Sequence, residues 1–172
     1  RNAIGTAIPG DIITFSVTGT IILTSGQLTI PVNLTINGPG ASLLTINGSG
    51  LGRIFDINPG LVVSISDLTV TNGSVATDGG GIRNQGSLTL TNVIVSSNTA
   101  TTAGSRGGGI MNLGVLTVNN SQINTNTAKR DGGGIYSDNG TTLNLDKVIV
   151  SGNSTSDAGG RGGGIALFSW ET

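Results

Sequence analysis

Nine acidic side chains hold most of the chemistry open to this chain of 172 residues: Asp11, Asp56, Asp67, Asp78, Asp131, Asp138, Asp146, Asp157 and Glu171. Cleaving a glycosidic bond takes two carboxylates about 5 to 9.5 Å apart. A calcium-dependent polysaccharide lyase takes several acids as clustered oxygen ligands, with an Arg or Lys base beside them. No such cluster stands out along the chain. His and Cys are both absent, which excludes imidazole bases, thiolate nucleophiles, disulfides and the commonest zinc ligands together. One further motif invites a chemical reading: "GGGI" occurs at 79–82, 107–110, 132–135 and 162–165. A phosphate-cradling loop would close its glycines with Lys and Ser or Thr at the start of a helix, and no lysine follows any of these runs. No catalytic residue, cofactor or metal is therefore assigned.

The elements that hold these residues are better marked than the chemistry. Eight basic residues against nine acidic ones, all scattered, give a net charge of −1. That offers neither the counterion release of nucleic-acid binding nor a polybasic membrane patch. No apolar run reaches the roughly 20 residues that cross a bilayer and no secretory leader is evident, so membrane insertion is not expected. Aromatics make up 3% of the chain while glycines number 30, so small aliphatic side chains must fill the core.

Self-similarity shows how. Val63-Ser64-Ile65, Leu88-Thr89-Leu90, Leu116-Thr117-Val118 and Leu143-Asn144-Leu145 form one column, and Val70, Val95, Ile123 and Val150 form a second, always five residues further on. Apolar-polar-apolar alternation is the period of a strand with one buried face. Repeats of this length hold about three strands, enough for one turn of a coil, and stacked coils share one interior. The prediction is an all-β, right-handed, single-stranded parallel β-helix of about six coils, one domain over 1–172. Residues 1–30 form an N-terminal cap and the first strands, 31–165 the coils and 166–172 an atypical tail. Only Arg1 to Ala7 is expected to be helical.

In such a stack "GGGI" is a repeated sharp corner, glycine being free to take positive φ and to admit the coil above. Four residues before each of its isoleucines stand Asp78, Arg106, Asp131 and Arg161. Coils about 4.8 Å apart would give each carboxylate a guanidinium above or below it, a charge ladder. Asp78 and Asp131 lie two coils apart in it, which suits charge pairing better than a catalytic dyad. Asn98, Asn126 and Asn153 form a further column, with Gly73 in the preceding coil. Stacked amides can hydrogen-bond along such a column; a row of sugar-binding amides is the alternative. Outward columns such as Ser64, Thr89, Thr117, Asn144 lack the regular Thr array of an ice-binding face.

"RNAIGTAIPGDIITF", "LTINGPGASLLTINGSGLGRIFDINPG", "LTVTNG", "NQGSLTLTNVIVSSNTA" and "GGGIMNLGVLTVNNSQINTNTA" resemble the right-handed parallel β-helix domains of bacterial surface and secreted proteins. The similarity is above all to CSLREA-type domains, and more loosely to polymorphic outer-membrane protein repeats. It covers the chain to Ile165. It implies an extracellular or cell-surface location and no particular chemistry. Family members usually carry a "GSL"-like lead before the residues matching Arg1 to Ile4, so the chain is expected to begin inside a motif, through processing, trimming or incomplete recovery of the sequence. After Ile165 the next repeat is replaced by "ALFSWET", which makes Phe168 and Trp170 the candidate interface, either as a plug over the final coil or as an anchor on another molecule.

The function expected is a non-catalytic extracellular structural or adhesive module, self-assembling end to end or through its tail into a surface fibre or layer. Its expected partners are further copies or other surface proteins. Glycan binding, or lyase-like degradation of a polysaccharide, is the alternative. An aromatic stripe would favour glycans, and Tyr136 is the only aromatic in the regular repeats.

Overall fold

The computed structural model describes residues 1–169. A short helix, α1 (Asn2–Thr6), precedes the strands and buries Ile4. The first coil holds β1 (Asp11–Thr14), β2 (Gly19–Ile22) and β3 (Leu28–Ile30). The second holds β4 (Leu34–Asn37), β5 (Leu44–Asn47) and β6 (Phe55–Ile57). The third gains a strand: β7 (Val62–Ser66), β8 (Thr69–Thr71), β9 (Ser74–Val75) and β10 (Ile82–Asn84). In the fourth stand β11 (Ser87–Thr91), β12 (Ile94–Ser96), β13 (Thr99–Ala100) and β14 (Ile110–Asn112). The fifth contains β15 (Val115–Asn119), β16 (Gln122–Asn124), β17 (Thr127–Ala128) and β18 (Ile135–Ser137). The sixth ends the series with β19 (Thr142–Asp146), β20 (Ile149–Ser151), β21 (Ser154–Thr155) and β22 (Ile165–Leu167).

Like strands stack in parallel, giving three six-stranded sheets and one four-stranded sheet. The first sheet runs β1-β4-β7-β11-β15-β19, the second β2-β5-β8-β12-β16-β20, the third β3-β6-β10-β14-β18-β22, and the fourth β9-β13-β17-β21. This is a parallel β-solenoid of six coils, as the repeats predict. The expected columns are in register: Leu88 pairs with Val63 and Leu116, Leu116 with Leu143, Val95 with Val70 and Ile123, Ile123 with Val150. Three strands per coil, however, underestimates the later coils. The extra strand is two residues long, too short for alternation to reveal it.

Burial follows the columns. Leu88, Leu90, Val95, Leu116, Val118 and Ile123 are fully buried. Their counterparts in the sixth coil are not: Leu143 and Val150 are half-buried and Leu145 is exposed, because no described coil lies beyond them.

The corners explain the polar residues. Between the first and second sheets the chain turns on Asp67, Asn92, Asn120 and Lys147, all left-handed with φ of 48 to 57°. Asp and Asn adopt that region more readily than other side chains. At the third sheet the first glycine of each "GGGI" takes φ of 57 to 73°. The third glycine is needed for room instead: a Cβ on Gly109 would lie 2.6 Å from the Gly134 carbonyl and 2.9 Å from the Asn126 amide.

The segments leading from the fourth sheet into the third alternate in length. Those after β13 and β21 are longer than the one after β17. The two long ones meet: the Gly104 N–H donates to Asp157 Oδ2 at 3.1 Å, reaching past the fifth coil.

Candidate functional site

Chemistry-bearing side chains gather along the outer face of the third sheet. In β6, β10, β14 and β18 the flanking residues turn inward, so Asp56, Arg83, Met111 and Tyr136 stand in one column on the opposite face. Three of them are nonetheless hidden: Asp56 is 3%, Met111 3% and Tyr136 1% exposed. Their cover is the chain just before each strand, which bends back on its glycines. A Cβ on Gly79 would lie 3.1 Å from Met111 Cβ, and the Arg106 guanidinium lies 5.0 Å from the centre of the Tyr136 ring.

One half of this strip is a closed ion network. Arg83 donates from Nε to Asp56 Oδ1 and from a terminal nitrogen to Oδ2, both at 2.7 Å. Gln27 Nε2 adds a hydrogen bond to Oδ2 at 2.9 Å. Arg53, 5% exposed, binds the Gln27 side chain, the carbonyls of Asp78 and Gly79, and the Thr77 hydroxyl. Burial alone would push the Asp56 carboxyl up; the Arg83 hydrogen bonds and the charges of Arg83 and Arg53 outweigh it and hold the group below its ordinary value. A carboxylate so held is a poor proton acceptor.

The other half contains Asp78, Arg106, Asp131 and Arg161, and its contacts differ from a simple charge ladder. Asp78 Oδ1 accepts from the backbone N–H of Arg106 at 2.7 Å, and Asp131 Oδ1 from that of Arg161 at 3.0 Å. The guanidinium that does pair up the column is that of Arg106, with Nε 3.8 Å from Asp131 Oδ2. Arg130 approaches the same oxygen at 3.5 Å from within its own coil. Each aspartate thus caps the corner of the next coil, because the glycines that follow expose backbone N–H groups there. Burial pushes the Tyr136 phenol up, opposed by the charge of Arg106.

Asn98, Asn126 and Asn153 lie along the inner edge of the second sheet. Asn98 Nδ2 donates to Asn126 Oδ1, and Asn126 Nδ2 to Asn153 Oδ1, both at 3.0 Å. Those same oxygens accept the backbone N–H of Asn98 and Asn126, and Asn98 Oδ1 accepts that of Gly73. Asn98 and Asn126 are fully buried, out of reach of a sugar. A second amide column went unread in the sequence: Asn84 donates to Asn112 at 2.8 Å, and Asn112 to Ser137 at 2.9 Å. Its signal is the residue two after the isoleucine of the first three "GGGI" runs, Asn, Asn and then Ser.

The Asp56 network also escaped the sequence. Its coil has no "GGGI", so only the alternation Phe55-Asp56-Ile57 could have aligned Asp56 with Arg83. Of the candidate interface residues, Phe168 lines a cleft with Tyr136 and Arg161, while Trp170 lies outside the described residues. Among the described residues no three His, Cys, Asp or Glu side chains come together as metal ligands would, and no helix is long and apolar enough to cross a membrane. A scan against family models and searches of curated proteins and of solved structures return no match.

Proposed function

We propose that this chain is a non-catalytic structural or adhesive module, a rigid stretch of an extracellular or cell-surface β-helix of the kind its CSLREA-like segments imply. The observation that carries this reading is the use of the strip's carboxylates. Asp56, Asp78 and Asp131 are each bonded to a residue of the neighbouring coil, so the charge joins coil to coil. The buried amide columns do the same work inside. In this reading the final coil, where Leu145, Ile149 and Leu167 are exposed among the described residues, is the face that meets another copy.

Two measurements test it. Incubation with a panel of acidic and neutral polysaccharides should release no reducing or unsaturated ends, and sustained release would overturn the non-catalytic reading. Light scattering and electron microscopy of the chain, intact and lacking 168–172, should show end-to-end particles that depend on the tail. A monomer at high concentration with the tail intact removes self-assembly and leaves a spacer.

A further inference from the structure

The cleft over the last three coils, about 260 Å³, is lined by Arg106, Arg130, Asp131, Tyr136, Arg161 and Phe168. Three guanidinium groups meet one carboxylate there, in a chain whose net charge is −1. Asp131 does not satisfy them. Its Oδ1 is taken by a backbone N–H, and its Oδ2 stands 3.5 and 3.8 Å from the Nε atoms of Arg130 and Arg106, beyond good hydrogen-bond length. Arg106 Nε is buried with no hydrogen-bond acceptor, a donor that folded proteins rarely leave unmet. Stacking over the buried Tyr136 ring holds that guanidinium in place. Arg161 bonds to described residues through its backbone, which leaves its guanidinium donors available. Ala166, in register with Tyr136, and Phe168 supply an apolar side to the same cleft.

The geometry points to a binding site for an oxyanion, a carboxylate, sulfate or phosphate group received by Arg106, Arg130 and Arg161 and carried on a small body that lies along the apolar side. Guanidinium groups suit such ligands because their donors are fixed in a planar fork that matches two oxygens at once. Buried donors already in position add no ordering cost when the ligand arrives. The site does not depend on the spacer role, and either can fail alone.

Titration calorimetry of the full chain at low ionic strength, with glucuronate, inorganic sulfate and glucose as probes, tests the site. Both anions should bind and glucose should not; tighter binding of glucuronate than of sulfate assigns the ligand to an acidic sugar, the reverse to a free anion. Arg161→Gln and Arg130→Gln, which alter exposed side chains, should each weaken anion binding about tenfold with an unchanged circular dichroism spectrum. Arg1→Gln, at the far end of the stack, should leave it unchanged. Absence of anion binding at millimolar concentration would overturn the site. So would equal losses in all three variants, or binding that arises only once residues 170–172 are removed.

Discussion

Arg83 and Asp56 lie on adjacent strands of the third sheet and join through two parallel hydrogen bonds of 2.7 Å. The aspartate is almost wholly buried while the arginine keeps about a third of its side chain in water. Removing the carboxylate leaves Arg53 and Arg83 facing each other without it. Asp56→Asn should therefore destabilise the chain by about 2 to 3 kcal/mol at neutral pH, measured by urea unfolding.

The same pair sets a pH dependence. Folded, Asp56 titrates below its ordinary 3.8, so on acidification the unfolded chain takes up this proton first. The stability it contributes is whole above about pH 4 and is lost as pH falls through the folded value. Melting temperature followed from pH 5 down to about pH 2 should fall less steeply for Asp56→Asn than for the parent.

Asn126 sits in the middle of its column, bonded on both sides. Asn126→Ala strands the donors of Asn98 and the carbonyl of Val95, and should cost about 2 to 4 kcal/mol. Asn153→Ala, at the end of the column and only half-buried, should cost less. Equal losses in chemical denaturation would contradict a ladder that gains from neighbours on both sides.

Two glycines separate space from flexibility. Gly109→Ala forces a methyl group onto a carbonyl and an amide of the next coil and should remove about 3 kcal/mol or more, a clash the stacked backbone cannot relieve. Gly5→Ala adds its methyl where nothing lies within 4 Å, inside α1, and should raise stability by up to about 1 kcal/mol. Thermal melts of the two variants check both signs.

Asp131→Arg adds a fourth guanidinium beside Arg106, Arg130 and Arg161 and removes the cap on the Arg161 backbone. The lost cap is indifferent to salt; the added repulsion is screened by it. The variant should therefore be destabilised more at 10 mM than at 500 mM salt, and an equal loss at both would place the effect in the cap alone.

Periodicity exposed the coil architecture because Leu, Val and Ile repeat at fixed intervals in the first and second sheets, where burial demands them. It read the Asp78 to Arg161 column as side chain facing side chain, since sequence assigns charges to positions but does not orient them; most of the contacts go to backbone. It could not reach Asp56, because aligning coils two and three needs the register of β6 with β10, and the glycine marker is absent before β6. Nor could it foresee that the outer column of the third sheet is roofed over. Tyr136, the only aromatic in the regular repeats, lies in that column, and the Arg106 guanidinium closes on top of it.

The contact from Gly104 to Asp157 breaks the rule that a coil touches only its neighbours. In a strictly nearest-neighbour stack, stability is a sum over interfaces and coils can peel away singly from an end. A strap between the fourth and sixth coils ties the fifth between them, so the last of them cannot detach without releasing that bond. The long loops thus add one bond between the fourth and sixth coils to the cost of releasing the last coil.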